Sequence, residues 1–371
     1  MPFTAFTIDA NMVYRQGFDL EHGLLAQLRQ FAAGDVRFVL SDLVLKELLK
    51  RNRSVRDKLR NALKDGLHHQ LAPGQHAQAG GALLDGLGDP RAVAQARLDA
   101  FVADTGAEVI PVDNVATSDL IELYFASKAP FQAAGAKKAE FPDAIALLSL
   151  QAWAEAEKVD LMVASADEGW AAFAADVDAL TVVDDLGKAL SRLQNQSEAP
   201  DQAIRGLMQR IMEGGAPQLA ERLRERIAAA VESLEVEPVG DSYFSFDAEL
   251  EGVRLMDFEV LRDDEGKLDL AIVRVDNEEA VFQVEVSVTV EVDASFALRK
   301  WDGIDREYVR MGSTRSTRSV LFIGGLLVHL IGDYEEEDPD WEIDHVDLVD
   351  GIDSVDFGEI EPDRDWADDF D

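Results

Sequence analysis

Cysteine is absent from all 371 residues, which excludes disulfides, thiolate metal ligands and a cysteine nucleophile and fits a reducing compartment. Any metal must therefore be held by oxygen or imidazole. No run of 18 or more apolar residues occurs, and the first residues lack the basic-then-apolar pattern of an export signal, so a cytoplasmic location away from membranes is expected. Phosphate-binding glycine loops are missing too. The glycines between Gly80 and Gly88 are not followed by Lys-Ser or Lys-Thr, which argues against ATP use, and there is no Gly-x-Ser-x-Gly elbow. Positive charge is scarce, with 35 Lys and Arg against 73 Asp and Glu for a net charge of −38. Proteins that grip nucleic acid usually show a basic footprint, so this balance points away from a free nucleic-acid binder. The deficit is uneven, however. From Asp333 to the end there are 19 acids against the single base Arg364, which reads as an acidic edge or tail.

What is present suffices for a sizeable core, since 47% of the side chains are hydrophobic. The length suggests two or three domains. Residues 1–195 alternate short apolar runs with helical patterns, the signature of an α/β domain with a mostly parallel sheet and helices on both faces. Strands are expected at Phe3 to Ile8, Val36 to Leu40, Glu108 to Pro111, Leu161 to Ala164 and Leu180 to Val183. Leu71 to Pro90, which contains His76 and follows His68 and His69, reads as a surface loop, as does Ala129 to Glu140. Residues 196–235 place Ile204, Leu207, Met208 and Ile211 at helical spacing, which predicts a helical connector or dimer surface. From residue 236 to 371 the period becomes two, most clearly where Phe282, Val284, Val286, Val288, Val290 and Val292 alternate with polar residues. That predicts a β-rich accessory domain, a sandwich or a curled sheet. Gly312 to Arg318, with Arg315 and Arg318, reads as a hairpin turn or a partner contact.

Four acids stand out against this frame. Asp9 follows the first strand and Asp167 the fourth, which puts both at carboxyl ends of strands, the edge where open parallel sheets bind ligands. Asp143 falls in the first turn of the helix after Pro142. It shares a face there with Ala146, Leu147 and Leu150. Glu47 lies beside Leu43 and Val44 on an apolar stripe where a lone glutamate is costly to bury, so it calls for a partner or a metal. Each acid also has a local explanation: a turn or helix cap for Asp9 and Asp167, the helix dipole for Asp143, and pairing with Lys50 for Glu47. Crowded in one cleft, the four would repel one another without a cation, and oxygen ligands favour magnesium or manganese. Trp170 and Phe173, three apart, read as core positions of a short helix.

In order along the chain, the segments Phe-Thr-Ile-Asp9-Ala-Asn11, Leu-Val-Leu-Lys-Glu47-Leu, Lys137-Lys138-Ala-Glu-Phe-Pro-Asp143-Ala-Ile and Val-Ala-Ser165-Ala-Asp167-Glu-Gly-Trp resemble PIN-domain nucleases. The likeness is to bacterial PIN-like proteins with a C-terminal extension, and it spans roughly residues 3 to 190. It implies a Rossmann-like sheet, Mg2+ or Mn2+ as cofactor, and endonucleolytic hydrolysis of RNA, most readily single-stranded, by water attack. Asp9, Glu47, Asp143 and Asp167 would be the catalytic and metal-binding acids, Asn11 and Ser165 their hydrogen-bonding supports, and Lys137 and Lys138 contacts to the RNA backbone. A regulatory protein partner and self-association are compatible with this reading. Two alternatives stay open: a catalytically silent PIN scaffold that binds a protein or RNA partner, which the negative charge favours, and phosphotransfer through Asp9 as nucleophile, weakened by Asn11 where a second acid is usual.

Overall fold

The computed structural model of the protein describes residues 3–70, 81–131, 140–194, 198–263, 265–276, 279–304, 307–332 and 341–362. The chain divides into two compact units, Met1–Gln196 and Ser197–Asp371. Among the described residues no helix is long and apolar enough to cross a membrane.

The first unit is a five-stranded parallel sheet. Its strands are β1 (Ala5–Ile8), β2 (Arg37–Ser41), β3 (Glu108–Ile110), β4 (Leu161–Ala164) and β5 (Leu180–Val183), in the spatial order β3-β2-β1-β4-β5. β1 and β4 are buried along their whole length. A strand sealed on both faces is apolar at every position rather than at alternate ones, which is why Ala-Phe-Thr-Ile and Leu-Met-Val-Ala read as short continuous runs. The chain leaves β1 towards β2 on one side and returns to β4 on the other, so the order reverses between these two central strands. Helices cover the sheet: α1 (Ala10–Arg15), α2 (Gly23–Ala26) with a 3-10 turn after it, α3 (Asp42–Gln70), α4 (Gly81–Gly86), α5 (Pro90–Thr105), α6 (Thr117–Ala126), α7 (Phe141–Glu157), α8 (Glu168–Ala174) and α9 (Leu186–Gln194). The ends of α5 are set by local chemistry. The carboxylate of Asp89 accepts from the Ala92 amide at 2.8 Å, Pro90 opens the first turn, and Gly106 closes the helix at φ 65°, a left-handed conformation that glycine adopts at no steric cost. The loop expected from Leu71 to Pro90 lies in part outside the described residues, but Gly81–Gly86 is helical.

The second unit is built on antiparallel strands. After α10 (Glu198–Met212) and α11 (Pro217–Glu232) come β6 (Glu237–Asp241), β7 (Ser245–Val260), β8 (Leu270–Val275), β9 (Glu279–Asp302), β10 (Glu307–Ile331), β11 (Glu342–Leu348) and β12 (Ser354–Glu359). The main sheet runs β11-β10-β9-β7 with β8 also on β9, while β6 and β12 form a separate parallel pair. The alternation along β9 buries Val284, Val286, Val288, Val290 and Val292 on one face, as the period of two demands. Onto the same core pack Ile204, Leu207 and Met208 of α10 and Leu223, Ile227 and Val231 of α11. These helices, read from sequence as a connector, thus belong to the hydrophobic core of the second unit.

Two readings of this region are corrected. Gly312 to Arg318 is not a turn: it lies inside β10, paired with Leu298 to Val292 of β9, and the chain reverses between Asp302 and Glu307 instead. Glycine, serine and threonine suggested a loop, but a long exposed hairpin arm tolerates polar residues on both faces. Of the edge or tail expected after Asp333, the described part is not a tail: β11 is the edge strand of the main sheet and β12 pairs with β6. The charged residues there alternate with Ile343, Val346, Val355 and Phe357, which are buried in β11 and β12.

Candidate functional site

The register of the parallel sheet puts two of the four acids side by side. β1 and β4 pair from Ala5 with Leu161 to Ile8 with Ala164, so the next residues, Asp9 and Ser165, meet just beyond the carboxyl ends of the strands. The Asp9 amide extends the ladder by donating to the Ala164 carbonyl at 3.1 Å. This is the point where strand order reverses, the usual ligand crevice of an open α/β sheet.

Asp9 is 2% exposed. One carboxylate oxygen accepts from the Met12 amide at 2.6 Å, which caps α1, and the other accepts from the Ser165 hydroxyl. Ser165 in turn accepts from the Asp167 amide at 3.1 Å. Asp167 caps α8, its Oδ1 accepting from the amides of Gly169 at 2.6 Å and Trp170 at 3.3 Å. Trp170 and Phe173 are buried, and the indole Nε1 of Trp170 donates to Asp143 Oδ1 at 3.2 Å. A chain of contacts therefore links Asp9, Ser165, Asp167, Trp170 and Asp143. The capping explanation and the cleft explanation hold together for Asp9, which caps a helix and also faces the crevice.

A cavity of about 480 Å³ gathers Asp9, Glu47 and Asp143, with Asn11, Glu140, Lys46, Lys50 and Trp170 among its other walls. Asp167 stands behind this wall. Glu47 is exposed at the cavity rather than sealed in the apolar stripe expected from the sequence, and among the described residues no ion pair closes on it. Asn11 lines the cavity with its side chain exposed. Lys137 and Lys138 lie outside the described residues.

Electrostatics mark this cavity as short of positive charge at its acids. Burial, opposed by the hydrogen bonds from Ser165 and Met12 and reinforced by the charges of Asp167 and Asp143, pushes the Asp9 carboxyl up from 3.8 to about 6. Glu47 is also pushed up, first by loss of hydration and then by Asp143, against the pull of Arg51 and Lys50. Beside it, burial and then Glu47 push the Tyr14 hydroxyl up to about 12, although the Arg51 guanidinium lies 3.8 Å above the tyrosine ring. A cation among these carboxylates would offset the mutual repulsion that adds to burial in all three cases.

One feature escaped the sequence reading. Between Lys46 and Lys64, α3 carries eight Lys and Arg against Glu47 and Asp57 alone, a basic stretch in an otherwise acidic chain. Lys46 and Lys50 line the acid cavity and also a neighbouring groove of about 490 Å³ with Arg53, Lys58 and Arg91. On the other side of the helix, Arg51, Arg56 and Arg97 line a third cavity with Tyr14 and Phe18. Counting charge by segment rather than over the whole chain would have revealed it.

With this geometry in hand, comparison with known families is direct: residues 7–170 match the family model described as PIN domain. The N-terminal unit is a PIN domain. The protein is a PIN-domain protein with a C-terminal extension built on antiparallel strands. PIN domains are generally nucleases that act on nucleic acid and typically use divalent metal ions. Comparison with curated proteins and with solved structures finds no match.

The donor set of this PIN domain fits such an ion. It consists of carboxylate oxygens, the ligands of hard cations. As placed, it is wider than one coordination shell, because among the described residues no three of these carboxylates bring oxygens within 4.8 Å of one another. Magnesium and manganese keep several waters and are commonly held by one or two carboxylates plus a substrate phosphate, which this spread allows.

Proposed function

We propose that the PIN domain is a metal-dependent endonuclease that cuts single-stranded RNA. The observation that carries this reading is the junction of two unlike surfaces: an acid-lined cavity at the strand-order reversal that shares Lys46 and Lys50 with a groove of bases along α3. Phosphate is attracted by the second and handled at the first.

Asp9 and Asp143 would hold Mg2+ or Mn2+, with Glu47 completing the exposed side. A bound divalent ion would polarise the scissile phosphate and acidify a water ligand. Each Asp9 oxygen has one donor from the chain, so each keeps a lone pair for the cavity. Ser165 and the Met12 amide fix the orientation of that carboxylate, and Trp170 does the same for Asp143. Asp167 supports the site from behind, anchoring α8 and adding negative charge that strengthens the demand for a cation. Lys46, Lys50, Arg53 and Lys58 would contact the RNA backbone in addition to Lys137 and Lys138. A preference for single strands draws support from the rings of Tyr124, Phe125, Phe131 and Phe141, which pack together at the start of α7 with Phe125 80% exposed. Phe141 lies between Glu140 and Pro142 of the cavity wall, where an unpaired base could stack.

The test is manganese-dependent cleavage of end-labelled single-stranded RNA by the full chain. Cleavage that yields 5′-phosphate ends and vanishes in Asp9→Asn and in Asp143→Asn, both still folded, supports the proposal. Equal cleavage by these variants refutes the site. Manganese titration that gives no heat dependent on these acids would leave the protein as a silent scaffold.

A further inference from the structure

Two imidazoles in the C-terminal extension have no part in the PIN domain and face one another across a strand pair. β10 and β11 are in register with His329 directly opposite His345, and Asp347, two residues further along, shares the face of His345. The two rings stack with centroids 3.7 Å apart. A β-bulge between His329 and Leu330 interrupts the ladder at this spot, a device that often re-aims a side chain next to a functional site.

The hydrogen bonding divides the ring nitrogens into two sets. His329 Nδ1 lies 3.3 Å from Glu279 Oε1, and His345 Nδ1 lies 2.9 Å from Asp344 Oδ2. An ionised carboxylate can only accept, so each Nδ1 carries a hydrogen and, in the neutral ring, each Nε2 carries a lone pair. Both nitrogens lie beside one carboxylate oxygen: the Nε2 atoms of His329 and His345 are 3.7 and 3.8 Å from Asp347 Oδ2. His329 is 5% exposed, and its Nε2 has no hydrogen-bond partner. A buried acceptor left without a donor is costly, and the Asp347 oxygen beside it brings further lone pairs rather than a hydrogen.

The geometry points to a transition-metal site: His329 Nε2, His345 Nε2 and Asp347 Oδ2 bind a late first-row divalent cation, zinc above all, with Glu279 and Asp344 orienting the two rings. One ligand atom from each of the three residues already lies within 4.8 Å of the others. A tetrahedral ion about 2.0–2.2 Å from each ligand needs them roughly 3.3–3.6 Å apart, so each Nε2 closes on Asp347 Oδ2 by a few tenths of an ångström and the two rings turn out of their stack to aim both lone pairs at the ion. Imidazole nitrogen selects zinc, nickel or cobalt over magnesium. Each histidine passing its second nitrogen to a carboxylate is the usual outer support of a metal-bound imidazole. Glu279 is itself held by Arg274. His345 is half exposed, so the ion can enter from solvent and a water can take the fourth position. Bound there, the metal cross-links β10 to β11.

The experiment uses the full chain, stripped with chelator, in an Asp9→Asn, Asp143→Asn background so that the PIN-domain acids do not compete. One equivalent of Co2+ should give the visible absorption of a tetrahedral nitrogen-ligated ion, zinc should displace it, and zinc should shift the ring resonances of both histidines. His345→Ala and Asp347→Asn, changes at accessible positions, should each weaken zinc binding by more than about tenfold. Absence of the cobalt band, or an undiminished band in both variants, overturns the site. So does a histidine pair that titrates with pH and ignores metal, which would mean that a proton fills the gap. Cobalt absorption and ring resonances in the chain with both histidines intact decide the matter even where a variant fails to fold.

Discussion

The two units of this chain assemble their polar clusters by opposite routes. In the PIN domain, Asp9 and Asp167 stand just past the ends of short parallel strands, where the ladder stops and the chain turns into helices whose caps they provide. In the C-terminal extension, His329 and His345 sit within long antiparallel strands and meet because the register sets them opposite each other. The first route collects oxygen donors around an open cavity and leaves them mutually repelled. The second brings imidazoles into contact and leaves a nitrogen without a hydrogen. Position in the fold thus goes with the kind of cation each cluster would suit: a hard, hydrated ion at the strand ends and a softer one on the ladder.

The comparison breaks most visibly on activity. Asp9→Asn or Asp143→Asn should reduce manganese-dependent RNA cleavage by more than about 100-fold, since loss of an outer partner of a metal ligand alone costs about 10- to 100-fold. Next in size is a stability effect confined to the first unit. Because burial raises the Asp9 carboxyl from 3.8 to about 6, the fold favours its neutral form. Well below pH 3.8 neither folded nor unfolded chain carries that charge; between 3.8 and about 6 the unfolded chain ionises while the folded chain keeps a neutral buried acid. Metal-free stability should therefore fall across this window, by up to about 3 kcal/mol. Asp9→Asn should remove that fall in urea unfolding at pH 4 and 7.5, and equal pH dependence in the two chains would mean that Asp9 ionises freely.

Smaller effects sharpen the contrast. Arg53→Glu with Lys58→Glu should weaken binding of uncleavable RNA and flatten its salt dependence by about one unit of slope for each phosphate left without its cation; an unchanged slope would remove α3 from the interface. Ser165→Ala takes away a hydrogen bond that lowers the Asp9 pKa, so manganese affinity should shift to higher pH while the fold persists. His345→Ala should leave manganese-dependent cleavage unchanged. A loss there would show that the two clusters do not act separately.

Much of the first unit was legible because buried parallel strands announce themselves as short apolar runs and because Asp suits both strand ends and caps. The five strands of the sheet were expected within a residue or two of where they lie. Glu47 was misjudged in its setting: a helical wheel reports the stripe a residue belongs to, not whether a cavity opens beside that stripe. The basic face of α3 was overlooked because one whole-chain sum, dominated by the acids after Asp333, hid a local excess of the other sign. In the second unit the alternation along β9 was plain, whereas the polar arm of β10 had no apolar face to mark it as strand. His329 and His345 are 16 positions apart with no spacing rule between them. Only the β10–β11 register, which the sequence does not specify, makes them neighbours.

The helix α3 has one more consequence. Glu47 and the bases from Lys46 to Lys58 ride on one rigid rod, and at 1.5 Å per residue that basic track is about 18 Å long. In the proposed nuclease, cutting point and grip are thus held at a fixed separation, like the jaw and handle of a caliper. Such a nuclease should measure its substrate: oligonucleotides too short to span the rod will be cut slowly, and once they span it further length will bring no gain.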